Sequence, residues 1–397
     1  MNTGFGLYRD GQHSTQRTTK LQELSDKTVH RPLGNGNSER SKMKVLVTGS
    51  SGLIGSAAVR YYDSQGADVV GIDNNMRQVF FGPMGSTEWN LALLKKETKR
   101  FEHVGVDIRD RDQVFDLVKK TQPELVIHCA AQPSHDKAKD IPLLDFDVNA
   151  MGTINMLEAT RQHASNAVFC HMSTNKVYGD APNELPLVEL DRRWDYARPE
   201  DYHGIDESCR IDQTLHSLFG ASKTAADVVA QEYGRYFGMK VGIFRGGCLT
   251  GASHSGVELH GFLSYLVHVA VHNKPYTIYG YKGKQVRDQI ENADVIAAFE
   301  EFRTNPRPGE VYNLGGGREN SASVLECIDL IAKISSYRVN FTLADTNRTG
   351  DHICYISNLN KFKSHYPEWS IRTSLEDMLG RMIEMEEFKL KSVSTIC

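Results

Sequence analysis

MKVLVTGSSGLIGSAAVRYYDSQGADVVGIDNN, residues Met43–Asn75, holds the reading that decides the fold. MKVLVTG is a short apolar run ending in glycine, which predicts a buried strand. Apolar residues then return at helical spacing through Leu53, Ile54, Ala57, Ala58 and Tyr61, and ADVVGID resumes strand character. Gly49, Gly52 and Gly55 stand at the strand-to-helix turn, spaced three and three rather than the two and three of GxGxxG. The first permits the tight turn, and the second lets a pyrophosphate approach the N–H groups of the helix start at Leu53 and Ile54. The third permits close helix packing. Asp73, with Asn74 beside it, closes the second strand and is suited to accept hydrogen bonds from an adenosine ribose. Its charge would repel the extra phosphate of NADP, so NAD is the expected cofactor. Arg77 is the competing reading, either as a receiver of that phosphate or as a side chain facing solvent.

The pattern continues outward. FEHVGVDIRD predicts another strand whose terminal Asp107, followed by Ile108, meets the adenine edge or caps the strand. PELVIHCAAQPSH predicts a buried strand ending in Ala130 and Ala131, small enough for a cofactor to lie against the backbone. With FDVNAMGTINMLEATRQHA and AVFCHMSTNKVYGD the alternation becomes doubly wound α/β, a Rossmann-type parallel sheet with ligands outside the carboxyl ends of its strands. Thr174 falls at such an end, next to Asn175, and is a candidate for holding substrate. Cys170 and His171 read as core, and no metal site is expected.

MKVGIFRGGCLTG brings Cys248 to another strand end, as a polar pocket wall or a buried thiol. PYTIYGYKGKQVRDQIENADVIAAF reads as a basic loop before a helix. Lys282, Lys284 and Arg287 there suit a diphosphate, Arg287 best because its fork binds two phosphate oxygens. A solvated charge cluster is the competing account of the two lysines, and Asp288 is read as pairing with Arg287 or holding a ribose. The expected organisation is a core over 43–248 and a smaller C-terminal substrate-binding lobe over 249–390 with returns to the core, flanked by flexible segments at 1–42 and 391–397.

Forty-six basic against 50 acidic residues among 397 give a formal net charge of −4, without the basic footprint that nucleic acid requires. Seven scattered cysteines, odd in number and without a CxxC pair, fit a reducing compartment. Residues 1–42 are too polar for a signal-peptide core or a membrane span. A cytoplasmic protein without membrane or nucleic-acid partners is expected.

TGSSGLIG (Thr48–Gly55), CAAQPSH (Cys129–His135), MSTNKVYGD (Met172–Asp180), GIDES (Gly204–Ser208), HSLFGASK (His216–Lys223) and QVRDQI (Gln285–Ile290) resemble the extended short-chain dehydrogenase/reductase family of nucleotide-sugar enzymes. STNKVYGD and GIDES resemble in particular its CDP-paratose 2-epimerase branch. The resemblance implies a tightly held NAD that transiently oxidises a sugar C2 hydroxyl, a nucleotide-diphosphate sugar as substrate, and a homodimer built on the helix of HSLFGASKTAADVVAQEYGRYFG. It also implies that Lys223 orients the nicotinamide ribose and that Thr174 holds the reacting hydroxyl. RGGCLTGASHSGVELHG does not match the paratose-acting pattern residue by residue. The family carries YxxxK where this chain has Phe219 and Lys223, and a phenyl ring carries no proton. Thr174, a water, Cys248, His216 or a nearby tyrosine would then supply the proton path, or the fold serves another reaction, or it binds without turnover. Dehydration ranks below epimerisation, because Asn175 and Lys176 stand where an acid and a base would be useful.

Overall fold

A computed structural model of the chain describes residues 42–257, 261–346 and 351–393. Except for Lys42, the expected N-terminal extension lies outside them. So do residues 394–397 of the expected tail, while 391–393 continue the helix Leu375–Val393. There is no break at 390, because Leu379, Met382 and Ile383 seat that helix on the C-terminal lobe.

Lys44–Thr48, Asp68–Ile72, Phe101–Val104, Leu125–His128, Val168–Thr174, Lys240–Gly246 and Glu310–Leu314 form a seven-stranded sheet. Every pairing in it is parallel. From one edge the order runs Glu310–Leu314, Lys240–Gly246, Val168–Thr174, Leu125–His128, Lys44–Thr48, Asp68–Ile72, Phe101–Val104. The chain moves one way from Lys44–Thr48 and then returns to its other side at Leu125–His128. That reversal opens a crevice at the carboxyl ends of the two strands.

Helices cover both faces, so the central strands are apolar throughout rather than alternating. Val45 and Val47 join one core cluster with Ile54, Phe244, Phe299 and Phe302, whereas Leu46 joins the other with Val126, Phe169 and Met156. This is the twofold alternation of a strand buried on both sides. His128 sits within the sheet, its Nδ1 2.8 Å from Thr48 Oγ1 and its Nε2 3.0 Å from Thr153 Oγ1. Burial pushes its pKa down to about 3, which makes it a neutral structural imidazole. His171 stacks on it at 5.5 Å and is likewise a core residue.

Three sequence expectations change. The strand before Asp107 ends at Val104, and Asp107 lies beyond it in a loop, paired with Arg109 at 2.7 Å. QVRDQI is not a loop: Arg287 and Asp288 lie in the strand Val286–Glu291, flanked by Cys248–Thr250, Ser321–Ser323 and Cys354–Tyr355. Within 43–248, the hairpin of Leu187–Glu189 and Trp194–Tyr196 leaves the core for the C-terminal lobe, where Arg193 reaches Glu326 and Asp195 binds Arg318. Glu310–Leu314 is an edge strand of the main sheet, and Phe362 and Trp369 join the core cluster of Tyr312 and Leu314.

Candidate active site

The crevice is a cavity of about 480 Å³ that runs from the glycine turn to the strand carrying Arg287. Gly49 makes the turn at φ 67°, and a Cβ there would stand 2.9 Å from the amide nitrogen of Ala130. A Cβ on Gly55 would stand 2.1 Å from Gly49 O, so only glycine lets the helix Leu53–Ser64 start so close beneath the strand. No side chain caps that helix, and its first residues, Leu53 and Ile54, line the cavity. Its N-terminal amides therefore offer an anion site with nothing of the chain's own side chains in it.

Asp73, Asn74, Asp107, Ile108, Ala130 and Ala131 line the same end. Asp73 accepts from the Ser51 and Asn75 amides at 2.9 and 2.8 Å, and Asn74 donates to Asp107 at 3.0 Å. Arg77 also lines the cavity instead of pointing to solvent. It is tied to Ser255 O at 2.6 Å and stacked 4.9 Å from the Phe81 ring.

At the opposite end stand Thr174, Asn175, Lys176, Phe219, Lys223, Cys248, Arg287 and Asp351. Lys223 lies two turns into the helix Ser217–Phe237 and donates to Met172 O at 2.9 Å. Burial pushes its amine down to about 8, with Asp227, Cys129 and Asp145 opposing. Asp227 is itself clamped by Nη2 and Nε of Arg245 at 2.8 and 3.1 Å in the core. A buried network of Gln132, Asp145, Asn149 and Ser222 fixes the same helix from the other side. Asn149 is delivered to it by a π-turn over Asp147–Met151, an irregularity of the kind that serves to re-aim one side chain.

Several candidates are corrected. His216 is not among the residues that line the cavity: it stands at the N-cap position of the helix carrying Phe219 without bonding that helix's amides, its Nε2 2.8 Å from Ile211 O and its Nδ1 3.4 Å from Lys176 O. Cys248 lines the cavity, yet burial pushes its thiol up to about 11, leaving it un-ionised and a poor base at neutral pH. Lys282 and Lys284 do not surround the cavity but pair with Glu189 at 3.3 and 2.9 Å. Asp288 turns the other way along its strand and accepts from the Gly317 and Ser357 amides, both at 3.0 Å. Arg287 is where the sequence suggests, but one arm holds Asp351 at 2.5 Å. Asp351 also holds Lys176 at 3.3 Å, so the two cations share one carboxylate, whose pKa they keep well below the usual range. The sequence reading missed this role of Lys176 and Asp351.

Residues 45–315 match the NAD dependent epimerase/dehydratase family. The chain belongs to that family. It is 33% identical over 349 residues to the CDP-paratose 2-epimerase of Salmonella typhi, covering 86% of this chain and 98% of that protein. It is 30% identical to dTDP-glucose 4,6-dehydratase 1 of Escherichia coli over 86% of this chain and 92% of that one. The solved UDP-glucuronic acid 4-epimerase of Bacillus cereus, in complex with UDP-glucuronic acid and NAD, shares the fold with a TM-score of 0.70 at 24% identity, covering 87% of this chain and 100% of that one.

As a member of the epimerase/dehydratase family the chain is an NAD-dependent enzyme, and its cavity fits that cofactor. The uncapped helix start suits a pyrophosphate, the glycine cradle leaves room that any Cβ would fill, and Asp73 suits a ribose diol. Among the described residues no helix is long and apolar enough to cross a membrane.

Proposed function

We propose that this family member acts on a nucleotide-diphosphate sugar, oxidising and re-reducing it at C2 and so inverting that centre. The observation that carries the reading is the composition of the cavity's far end. Thr174 and a buried lysine, Lys223, stand together as an alcohol oxidation needs, and Arg287 supplies a cation for a diphosphate. When bound, NAD takes a hydride from the sugar carbon and gives one back. The chain's own residues do the rest. Gly52, Leu53 and Ile54 bind the pyrophosphate through backbone amides, and Asp73 accepts from the adenosine ribose. Lys223 orients the nicotinamide ribose and puts positive charge beside the developing alkoxide, and Thr174 holds the reacting hydroxyl. Arg287, whose arms donate to Asp351 and to Val286 O, meets the diphosphate with its remaining N–H groups and its charge.

Dehydration is the second reading, favoured by the names of relatives such as the E. coli enzyme. It requires an acid to protonate a leaving hydroxyl and a base to take a carbon-bound proton. Asn175 can serve as neither, and the carboxylate in reach, Asp351, is held ionised between two cations, so Lys176 lacks the second member of such a pair. Epimerisation needs no such pair.

The assembly proposed is a homodimer. Leu218, Val228, Tyr236 and Phe237 are exposed on the helix Ser217–Phe237, with Leu143 and Phe146 exposed on the adjoining turn, an apolar surface that a second copy would cover.

Protein purified without added cofactor is expected to release NAD rather than NADP on denaturation, identified by mass, because the Asp73 carboxylate would face the 2′-phosphate. Predominant NADP would reassign the ribose end to Arg77. Calorimetry with CDP-, UDP- and GDP-glucose tests the substrate class, and absence of binding by all three would remove nucleotide sugars from the account.

A further inference from the structure

We propose that the Lys176 amine is the proton-transfer group of the reaction, filling the role that a phenyl ring at position 219 cannot. The inference rests on the oxidation chemistry proposed above. An alcohol that gives up a hydride must also give up its hydroxyl proton, and the acceptor has to stand in the cavity beside Thr174.

His135 lines the cavity within electrostatic reach of Asp351, and its ring is paired with Asp136 at 3.5 Å. Cys129 and Cys248 are thiols that burial pushes up to about 12 and about 11, so neither is a base near neutral pH. Lys223 is committed to Met172 O on the cofactor side. Asp351 is ionised but shared between two cations, which makes it a weak acceptor.

Lys176 lines the cavity together with Thr174. It follows Thr174 by two residues, on the short turn Asn175–Tyr178, and the amide of Lys176 is anchored to Thr174 Oγ1 at 3.2 Å. Its carbonyl lies under the first turn of the Phe219 helix, where a Cβ on Gly220 would come within 2.9 Å of it. Lys176 and Phe219 thus border the same cavity from abutting elements.

The charges around the amine suit reversible protonation. Burial lowers its pKa and Arg287 on the neighbouring strand lowers it further, while Asp351 opposes them and Cys248 does so weakly. His352, buried beside Asp351, is held neutral. The net direction is downward, which favours the neutral amine relative to an ordinary lysine, and the Asp351 carboxylate 3.3 Å away stabilises the ammonium once it forms. In the forward step the hydroxyl O–H bond breaks and its proton goes to the amine. The electron pair of the adjacent C–H leaves as hydride to the family's NAD, and the C–O bond becomes a carbonyl. On return the ammonium gives the proton back to oxygen as hydride is restored to carbon.

The test combines a titration with a rate profile, both on the full chain. Protein labelled with carbon-13 at lysine Cε is titrated by NMR, with the Lys176 resonance assigned by its loss in Lys176→Met. Exchange of CDP-, UDP- and GDP-glucose is followed across pH for wild type, Lys176→Met and Lys176→Arg. The Lys176 resonance is expected to titrate below the ordinary lysine value of about 10.4, and the wild-type rate to rise with pH through that same midpoint as the neutral amine appears. Lys176→Met should be at least ~10²-fold slower and lose that limb, and Lys176→Arg should fail to restore it, since a guanidinium stays protonated. A Lys176 midpoint at or above 10.4 would overturn the proposal. So would a Lys176→Met rate within threefold of wild type, or a slow variant that keeps the limb. A wild type inactive on all three sugars removes the oxidation reading itself, an outcome seen before any variant is made.

Discussion

Replacing Lys223 with methionine is expected to slow sugar exchange by at least ~10²-fold while leaving a folded protein. Lys223 is 4% exposed and its amine is bonded to Met172 O, in a setting where burial already pushes it down to about 8. A methionine of similar length fills the same space without a charge to desolvate, so its structural cost is the lost hydrogen bond, about 1 kcal/mol. The functional cost is larger, because the ammonium both orients the nicotinamide ribose and sits beside the developing alkoxide. Stopped-flow rates, with bound NAD quantified by mass, check this. A variant that keeps NAD and wild-type rates would remove Lys223 from the site.

Arg287→Ala is expected to weaken binding of the nucleotide sugar by about 2 to 5 kcal/mol and to leave NAD content unchanged. The Arg287 side chain is 12% exposed and holds Asp351 at 2.5 Å. Its removal leaves Asp351 with Lys176 as a cation partner, so the diphosphate loses a positive charge and meets a less compensated carboxylate. Isothermal titration against the sugar that wild type binds best measures the change. Unchanged affinity would mean that the diphosphate lies elsewhere, and loss of NAD would mean that Arg287 serves the other ligand.

What was legible in the sequence is what local rules encode. The turn at Gly49, the close approach at Gly55 and the apolar runs of the central strands each depend on residues a few positions apart, and Asp73, Ala130 and Ala131 follow from the strand ends they occupy. Thr174, Lys223 and Arg287 line the cavity. QVRDQI misled because charged residues in succession read as a loop, whereas this strand keeps Arg287 and Asp288 on opposite faces with partners 64 and 69 residues away. The pairing of Lys176 with Asp351 spans 175 residues and leaves no periodic trace. His216 was misplaced by one step: as the residue preceding the first helical turn, its ring bonds to the loop before it. The hairpin Leu187–Tyr196 has strands of three residues, too short to carry an alternation signal.

Phe219 gives the account its sharpest exposure, because it lines the cavity at 7% exposure without a group to move a proton. The most direct measurement of the central claim is the fate of hydrogen at C2. Wild-type enzyme incubated with CDP-, UDP- and GDP-sugars carrying deuterium at C2 should yield the 2-epimer of at least one of them with the deuterium retained, since the hydride removed from a molecule is the one returned to it. Protium from solvent at C2, or recovery of every sugar unepimerised, would contradict it.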